Sequence, residues 1–329
     1  MLESILDSLQ VISLPTKTNF RGITQREVAL FSGPFGWAEF SPFLEYRPEE
    51  CVPWLISAIE SAYVASPAAL RKFIEINATL PALNGRTQIA EVLSWYPGCK
   101  TIKIKVGDNL GEDLQRIRLV KELAPEGRIR LDVNGGWTVD QATTFLLKLH
   151  RDVGEIEYVE QPCATIEELR ALKKALPGEM LIAGDEIVRK TDSPFDLNLA
   201  GAVDLLVLKV APLGGIKRCQ EITSHFGLPV VVSSALESAI GISYGLKLAA
   251  TLPSLPYANG LGTGALLEVD VATFAINAGE IEVGTVSPSD GSLVKYALAG
   301  ERLNWWRERI RQTWAAGAGS WVEREGWLP

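Results

Sequence analysis

TIKIKVGD, residues 101–108, has the β-branched density of a strand and carries two lysines inside it. On a strand, Lys103 and Lys105 lie two apart and share one face, while Ile102, Ile104 and Val106 share the other. An apolar face fits a packed interior. A face holding two ammonium groups has to look onto chemistry or solvent.

The same plan recurs along the chain. IRLDVNGG (129–136), IEYVEQP (156–162), LIAGDE (181–186), DLLVLKV (204–210) and LPVVVSSA (228–235) are short β-branched or apolar runs. Between them lie stretches with helical apolar spacing, such as EDLQRIRLVKELA (112–124) and TIEELRALKKAL (165–176). One polar residue stands near the end of each run: Lys105, Asp132, Glu160, Asp185, Lys209 and Ser233, at intervals of 27, 28, 25, 24 and 24 residues. That is the length of a repeated βα unit. Near-continuous apolar strands belong to a parallel sheet buried on both faces. The expectation is an α/β fold, a (β/α) barrel of TIM type. A doubly wound open sheet is the alternative, but no G-x-G-x-x-G follows the first run. In a barrel, strand ends of this kind converge on the catalytic mouth. Taken singly, each would read first as a charged residue capping a strand in solvent; five in succession in the same register argue against that.

The first hundred residues differ. REVALFSG (26–33) and FGWAEFSP (35–42) read as antiparallel strands joined at Gly-Pro, and ECVPWLISAIESAYVA (50–65) and SPAALRKFIEI (66–76) as helical. After about residue 280 come short strands and a Trp-rich helix, LNWWRERIRQTWAAG (303–317). The expected organisation is an α+β capping domain over 1–97, a barrel over 98–285, and a segment over 286–329 that packs back on the cap.

The 329 residues carry a formal net charge of −8, and no basic cluster is interleaved with aromatics, which argues against nucleic acid as a partner. The opening MLESILDSLQ lacks the basic-then-apolar pattern of a secretory signal, and no apolar run reaches the length of a membrane span. The cysteines Cys51, Cys99, Cys163 and Cys219 are scattered, as expected in a reducing cytoplasm. Oligomeric state is not legible at this level.

Three carboxylates expected at one mouth, Asp132, Glu160 and Asp185, suit a hard divalent cation such as Mg²⁺, with Mn²⁺ indistinguishable by ligand type. Without a cation they would raise one another's pKa. Salt bridges to the nearby lysines are the competing account. Lys105 and Lys209 would flank that centre from opposite sides. A lysine serves as a base only if its pKa falls, and Lys103 beside Lys105 works in that direction. Asn134 reads equally as a turn residue of NGG and as a hydrogen-bonding group beside Asp132. KVAPLGGI (209–216) allows close backbone approach. SSALES (233–238) and GLGTG (260–264) offer hydroxyls and N–H groups for a carboxylate.

In combination, KIK at 103–105, DVN at 132–134, EQP at 160–162, DE at 185–186 and Lys209 resemble the muconate-lactonising-enzyme subgroup of the enolase superfamily. The resemblance covers most of the chain. It implies a modified (β/α)7β barrel, an α+β cap built from both termini, and Mg²⁺ on Asp132, Glu160 and Asp185. The mandelate-racemase type is disfavoured, because SSALES stands where its catalytic histidine would be expected. SSALES, GLGTG, Arg130 and the short chain imply a particular reaction, the syn dehydration of 2-succinyl-6-hydroxy-2,4-cyclohexadiene-1-carboxylate in menaquinone biosynthesis. Lys105 would be its base and Lys209 a cation on the opposite face. Ser233 would bind the succinyl carboxylate, with Gly262 and Thr263. Arg21, in the FRG of the cap's mobile loop, would be a further contact. Racemisation of N-succinylamino acids uses the same groups and is the alternative. A dipeptide epimerase would carry acids where GLGTG has none, and a non-catalytic barrel binding an acidic ligand would need neither the three carboxylates nor the opposed lysines.

Overall fold

The computed structural model describes residues 1–20, 22–107 and 109–327. Arg21 therefore lies outside the described residues. The chain opens with a short helix α1 (Leu2–Asp7) and an antiparallel meander of β1 (Gln10–Phe20), β2 (Ile23–Gly33) and β3 (Gly36–Phe40). β1 and β2 pair from Gln10↔Leu30 to Pro15↔Gln25, and the register shifts before Phe20↔Ile23. Helix α2 (Pro48–Tyr63) starts on a proline, whose fixed φ suits the first helical position, and the Glu50 side chain accepts the Arg47 N–H at 3.0 Å. Its Trp54, Leu55 and Ile59 pack with Phe31 and Phe40 of the meander.

Next comes β4 (Phe73–Glu75), which pairs antiparallel with the distant β12 (Glu280–Glu282). The helix expected over SPAALRKFIEI is absent. The Ser-Pro start and the pairing of Ile74 with Ile281 favour extended chain, and that partner is invisible to local periodicity. The parallel sheet then begins at β5 (Ala78–Leu80), before the expected barrel boundary at 98. It runs through α3 (Arg86–Ser94), β6 (Thr101–Lys105), α4 (Leu110–Leu123), β7 (Arg128–Asp132), α5 (Val139–Val153), β8 (Tyr158–Glu160) and α6 (Ile166–Ala175). It continues through β9 (Ile182–Gly184), α7 (Glu186–Arg189), β10 (Leu205–Lys209), α8 (Val210–Leu213), α9 (Ile216–Phe226), β11 (Val230–Ser233) and α10 (Ala239–Thr251).

Among the described residues, β5 to β11 form one seven-stranded parallel sheet in sequence order. Residues 259 and 260 join its two edges: Asn77 N–H donates to Asn259 O at 2.9 Å and Gly260 N–H donates to Val232 O at 2.8 Å. The closed sheet with its crossovers is the (β/α)7β barrel. Lys103 and Lys105 therefore lie on its second strand and Lys209 on its sixth. Ile102, Ile104, Leu131, Val159 and Leu208 pack outward against the helices. After α11 (Asp290–Lys295), helices α12 (Gly300–Thr313) and α13 (Gly319–Glu325) bring Trp306, Ile310 and Val322 into the core of α2 and the meander.

Two cap carboxylates dock this layer on the barrel. Glu60 of α2 accepts the Ile216 and Lys217 N–H groups at the start of α9, at 2.6 and 3.1 Å, and the Tyr244 hydroxyl at 2.7 Å. Glu39 of β3 accepts the Ser238 and Gly241 N–H groups at the start of α10, both at 3.1 Å, and the Ser238 hydroxyl. Each places negative charge where a helix leaves N–H groups unpaired.

Candidate active site

Strand register builds the site. Lys105, Asp132 and Glu160 are consecutive partners across β6, β7 and β8, so they stand in one layer at the strand ends. Lys209 and Ser233 are partners across β10 and β11. Asp185 follows β9 directly and faces Lys209, whose ammonium donates to Asp185 Oδ2. Lys105 Nζ donates to Asp132 Oδ2 at 2.5 Å and to Asn134 Oδ1 at 2.6 Å. Lys103, 6% exposed, bridges Asp132 Oδ2 at 2.8 Å and Glu160 Oε1 at 2.7 Å. The phenyl ring of Phe20, from the end of β1, lies 5.8 Å from Lys105 Nζ and brings the cap to the mouth.

The electrostatics separate the two neighbouring lysines. Burial lowers the Lys105 pKa and the Lys103 charge lowers it further, against the pull of Asp132. For Lys103 burial is outweighed by Asp132 and Glu160, and its pKa rises. Lys103 thus remains a fixed cation while Lys105 moves towards the range of a usable base. Burial of Asp132 is overcome by Lys103 and Lys105, which hold its carboxyl far down. Burial of Asp185 is overcome by Lys209 and Arg189, which hold it at about 2. Glu160 goes the other way, up to about 7, through burial and then the charges of Asp132 and Asp185.

Asn134 takes the left-handed conformation (φ 53°) that asparagine tolerates, and from there its amide reaches both Lys105 and Glu186 Oε1, the latter at 3.1 Å. Ser233 stands beside Gly260, where a Cβ would collide with its hydroxyl. Thr263, next to Gly262, shares a 2.7 Å hydrogen bond with Ser234. Arg130 does not join the cluster. It shares the face of Asp132 but lies two residues further down the barrel, fully buried. There it bonds Glu157, Asn77 Oδ1 at 3.1 Å and Ala258 O at 2.6 Å, and stacks on Tyr158. Spacing along a strand gives the face of a residue but not its depth.

Sequence reasoning passed over three residues that the fold brings in. Gln161 Oε1 accepts the Asp185 and Ile187 N–H groups at 3.0 and 3.3 Å and so fixes the turn after β9. Its φ of 41° is uncommon for a residue other than glycine. Glu186 and Arg189 complete the surroundings of Asp185: Arg189 Nε donates to Asp185 Oδ1 at 3.0 Å and Nη2 to Glu186 Oε1 at 2.5 Å. Gln161 and Glu186 stand inside EQP and DE without a role assigned, and only Arg189 lies outside every motif.

Four cations, Lys103, Lys105, Lys209 and Arg189, thus face four carboxylates, Asp132, Glu160, Asp185 and Glu186. Among the described residues, no group of three or more His, Cys, Asp or Glu side chains is already gathered to hold a metal ion. Ammonium groups lie between the carboxylates instead. Yet the buried Asp132 Oδ1 and Glu160 Oε2 have no hydrogen-bond partner among the described residues, and burial, with the charges of Asp132 and Asp185, leaves Glu160 at about 7. Unpartnered buried carboxylate oxygens on adjacent strands are the donor chemistry a hard divalent cation takes, so the residues present fit one.

Residues 88–291 match the family model described as Enolase C-terminal domain-like, and residues 11–62 match Enolase N-terminal domain-like. The chain is 47% identical over 314 residues to the o-succinylbenzoate synthase of Mycobacterium ulcerans, covering 94% of each chain. It is 46% identical to that of Mycolicibacterium smegmatis, covering 94% of this chain and 96% of the relative. In structure it is similar to the muconate lactonizing enzyme from Pseudomonas putida, with a TM-score of 0.73 at 19% identity, covering 88% of this chain and 98% of that one. The L-Ala-D/L-Glu epimerase from Bacillus subtilis superimposes with a TM-score of 0.72 at 21% identity, covering 85% and 96%. At those identities the structural likenesses establish the fold alone.

Proposed function

The chain belongs to the enolase superfamily, and from that premise we propose that it performs the o-succinylbenzoate synthase reaction, the syn dehydration of 2-succinyl-6-hydroxy-2,4-cyclohexadiene-1-carboxylate to 2-succinylbenzoate. The observation that carries the reading is the 46–47% identity to o-succinylbenzoate synthases over 94% of the chain. The opposed lysines around buried carboxylates supply the chemistry it requires.

In this account Lys105 takes the proton α to the ring carboxylate. Burial and Lys103 prepare it for that step, and Asn134 and Asp132 hold its Nζ in place. The C–H electrons form the new ring double bond, the C–O bond breaks, and Lys105 returns its proton to the leaving hydroxyl as water. One residue on one face serves both transfers, as a syn elimination needs. Lys209, held by Asp185 on the other side, remains a cation facing the developing anion. Ser233, beside Lys209 in the same layer, receives the succinyl carboxylate, with Gly262 and Thr263 on the neighbouring segment. Phe20 covers Lys105 and limits water there. Members of the superfamily are typically divalent-metal dependent. Mg²⁺, for which Mn²⁺ can substitute, would be held by Asp132, Glu160 and Asp185 and would supply positive charge where the ring carboxylate gathers negative charge.

The substrate is a small carboxylate, and no helix among the described residues is long and apolar enough to cross a membrane. The test is loss of the diene absorbance on adding purified protein and Mg²⁺ to the cyclohexadiene. Turnover that EDTA stops and Mg²⁺ restores is the expected result. No turnover, together with deuterium exchange at the α-carbon of N-succinylamino acids in D₂O, would replace the dehydratase by a racemase.

A further inference from the structure

We propose that Arg189 is the positioning residue through which the capping layer sets the orientation of both lysines, with Tyr46 as its contact on the cap. The inference rests on the reading of Lys105 and Lys209 as the reacting groups, and it goes beyond that reading by naming what aims them.

The hydrogen bonds form one unbroken arc across the mouth. Lys105 Nζ donates to Asn134 Oδ1 and Asn134 Nδ2 donates to Glu186 Oε1. Arg189 Nη2 donates to that same Glu186 oxygen, and its Nε donates to Asp185 Oδ1. Lys209 Nζ donates to the other oxygen of Asp185. Arg189 is thus the shared partner of two carboxylates, each of which leads to a different lysine. Its side chain is 5% exposed and sits one helical turn after Asp185, so its reach is fixed by α7.

The guanidinium and the Tyr46 side chain of the cap line the same cleft, and Tyr46 acts on the guanidinium charge there. Tyr46 is itself held. Its ring packs edge-on against Phe43 and Trp54, with centroids 5.6 and 6.3 Å away, and its carbonyl accepts from Arg309 of α12 at 3.1 Å. A shift of the cap against the barrel therefore pulls on Arg189 and, through the planar fork, on both carboxylates at once. A lysine could neutralise Asp185 and Glu186 but could not hold both in one plane. That contrast separates aiming from charge balance.

The experiment compares Arg189→Lys, Arg189→Met, Tyr46→Phe and the Tyr46→Phe/Arg189→Met double variant with the wild type. Two readouts are taken: kcat and KM for dehydration, and the rate at which an amine-reactive reagent labels each lysine, read by mass spectrometry. Circular dichroism and thermal melting confirm the folded state. Arg189→Lys is expected to keep its fold while kcat falls on the order of 10-fold or more, with KM within about 2-fold, as for lost alignment. Arg189→Met and Tyr46→Phe are expected to raise labelling at Lys105 and Lys209 together and leave Lys103 unchanged. The double variant should resemble Arg189→Met. Wild-type kcat in Arg189→Lys, labelling that rises at Lys209 alone, or independent effects of Tyr46 and Arg189 would overturn the proposal. Labelling needs no substrate. If the wild type does not dehydrate the diene, the functional reading falls while the arc is still tested.

Discussion

Glu237→Gln is expected to stabilise the protein by an amount that grows as pH rises from about 4.5 to about 7. Glu237 follows the loop after β11 and is 3% exposed. Its carboxylate accepts the Ala235 N–H at 2.5 Å and faces Glu39 and Arg26. Arg26, also buried, donates to Leu236 O at 3.0 Å and to Ser41 O, which ties the meander to that loop. One buried cation thus meets two buried carboxylates, and one acid is in surplus. Burial, with the Glu39 charge next, lifts Glu237 from 4.5 to about 7. Between those values the folded protein holds a proton that the unfolded chain has released. Stability therefore falls as pH rises through that window, and the loss is complete above pH 7. The loss corresponds to about 3 kcal/mol. Glutamine keeps the volume, its oxygen still accepts the Ala235 N–H, and it carries no charge to desolvate. Urea unfolding at pH 5 and pH 8 should give a variant more stable by about 1 kcal/mol or less at the lower pH and by about 3 kcal/mol at the higher. Asp270, whose pKa burial also raises, titrates in both proteins and drops out of the difference. A variant less stable than wild type at pH 8, or a gap that is the same at both pH values, would refute the reasoning.

Two further outcomes follow from the same contacts. Lys105→Met should lower kcat by about 10³-fold, the scale of a lost general base. Its fold should persist, because Asp132 keeps Lys103 at 2.8 Å; near wild-type turnover with unchanged circular dichroism would remove Lys105 from its role. Glu60→Ala should destabilise the protein by about 3 kcal/mol in urea unfolding at neutral pH, since it strips acceptors from two N–H groups of α9 and from the Tyr244 hydroxyl. A loss below about 1 kcal/mol would mean that Glu60 does not help dock the cap.

The barrel was legible in the sequence because each of its later strands is an apolar run that ends in one polar residue, at βα intervals. That pattern carries face and direction together, and it placed Lys105, Asp132, Glu160, Asp185 and Lys209 on the strand ends. The first strand, Ala78–Leu80, was not legible. Three residues show no period, and they are held by pairing with β6 and with the closing segment at 259. Arg130 was drawn into the site by the resemblance, from its place two residues before Asp132, and that place says nothing about depth. Arg189 was passed over for the opposite reason. Its meaning depends on Asn134, two βα units earlier in the chain, and on Tyr46 of the cap, which only the closed barrel brings near.

The most direct test of the account is a single-turnover measurement with substrate deuterated at the carbon α to the ring carboxylate, run on wild type, Lys105→Met and Lys209→Met with Mg²⁺. The account predicts that the deuterium slows aromatisation several-fold in the wild type, that Lys105→Met forms product about 10³-fold more slowly, and that Lys209→Met is impaired while retaining the isotope effect. Product formed by Lys105→Met at the wild-type rate, with or without an isotope effect, would contradict it.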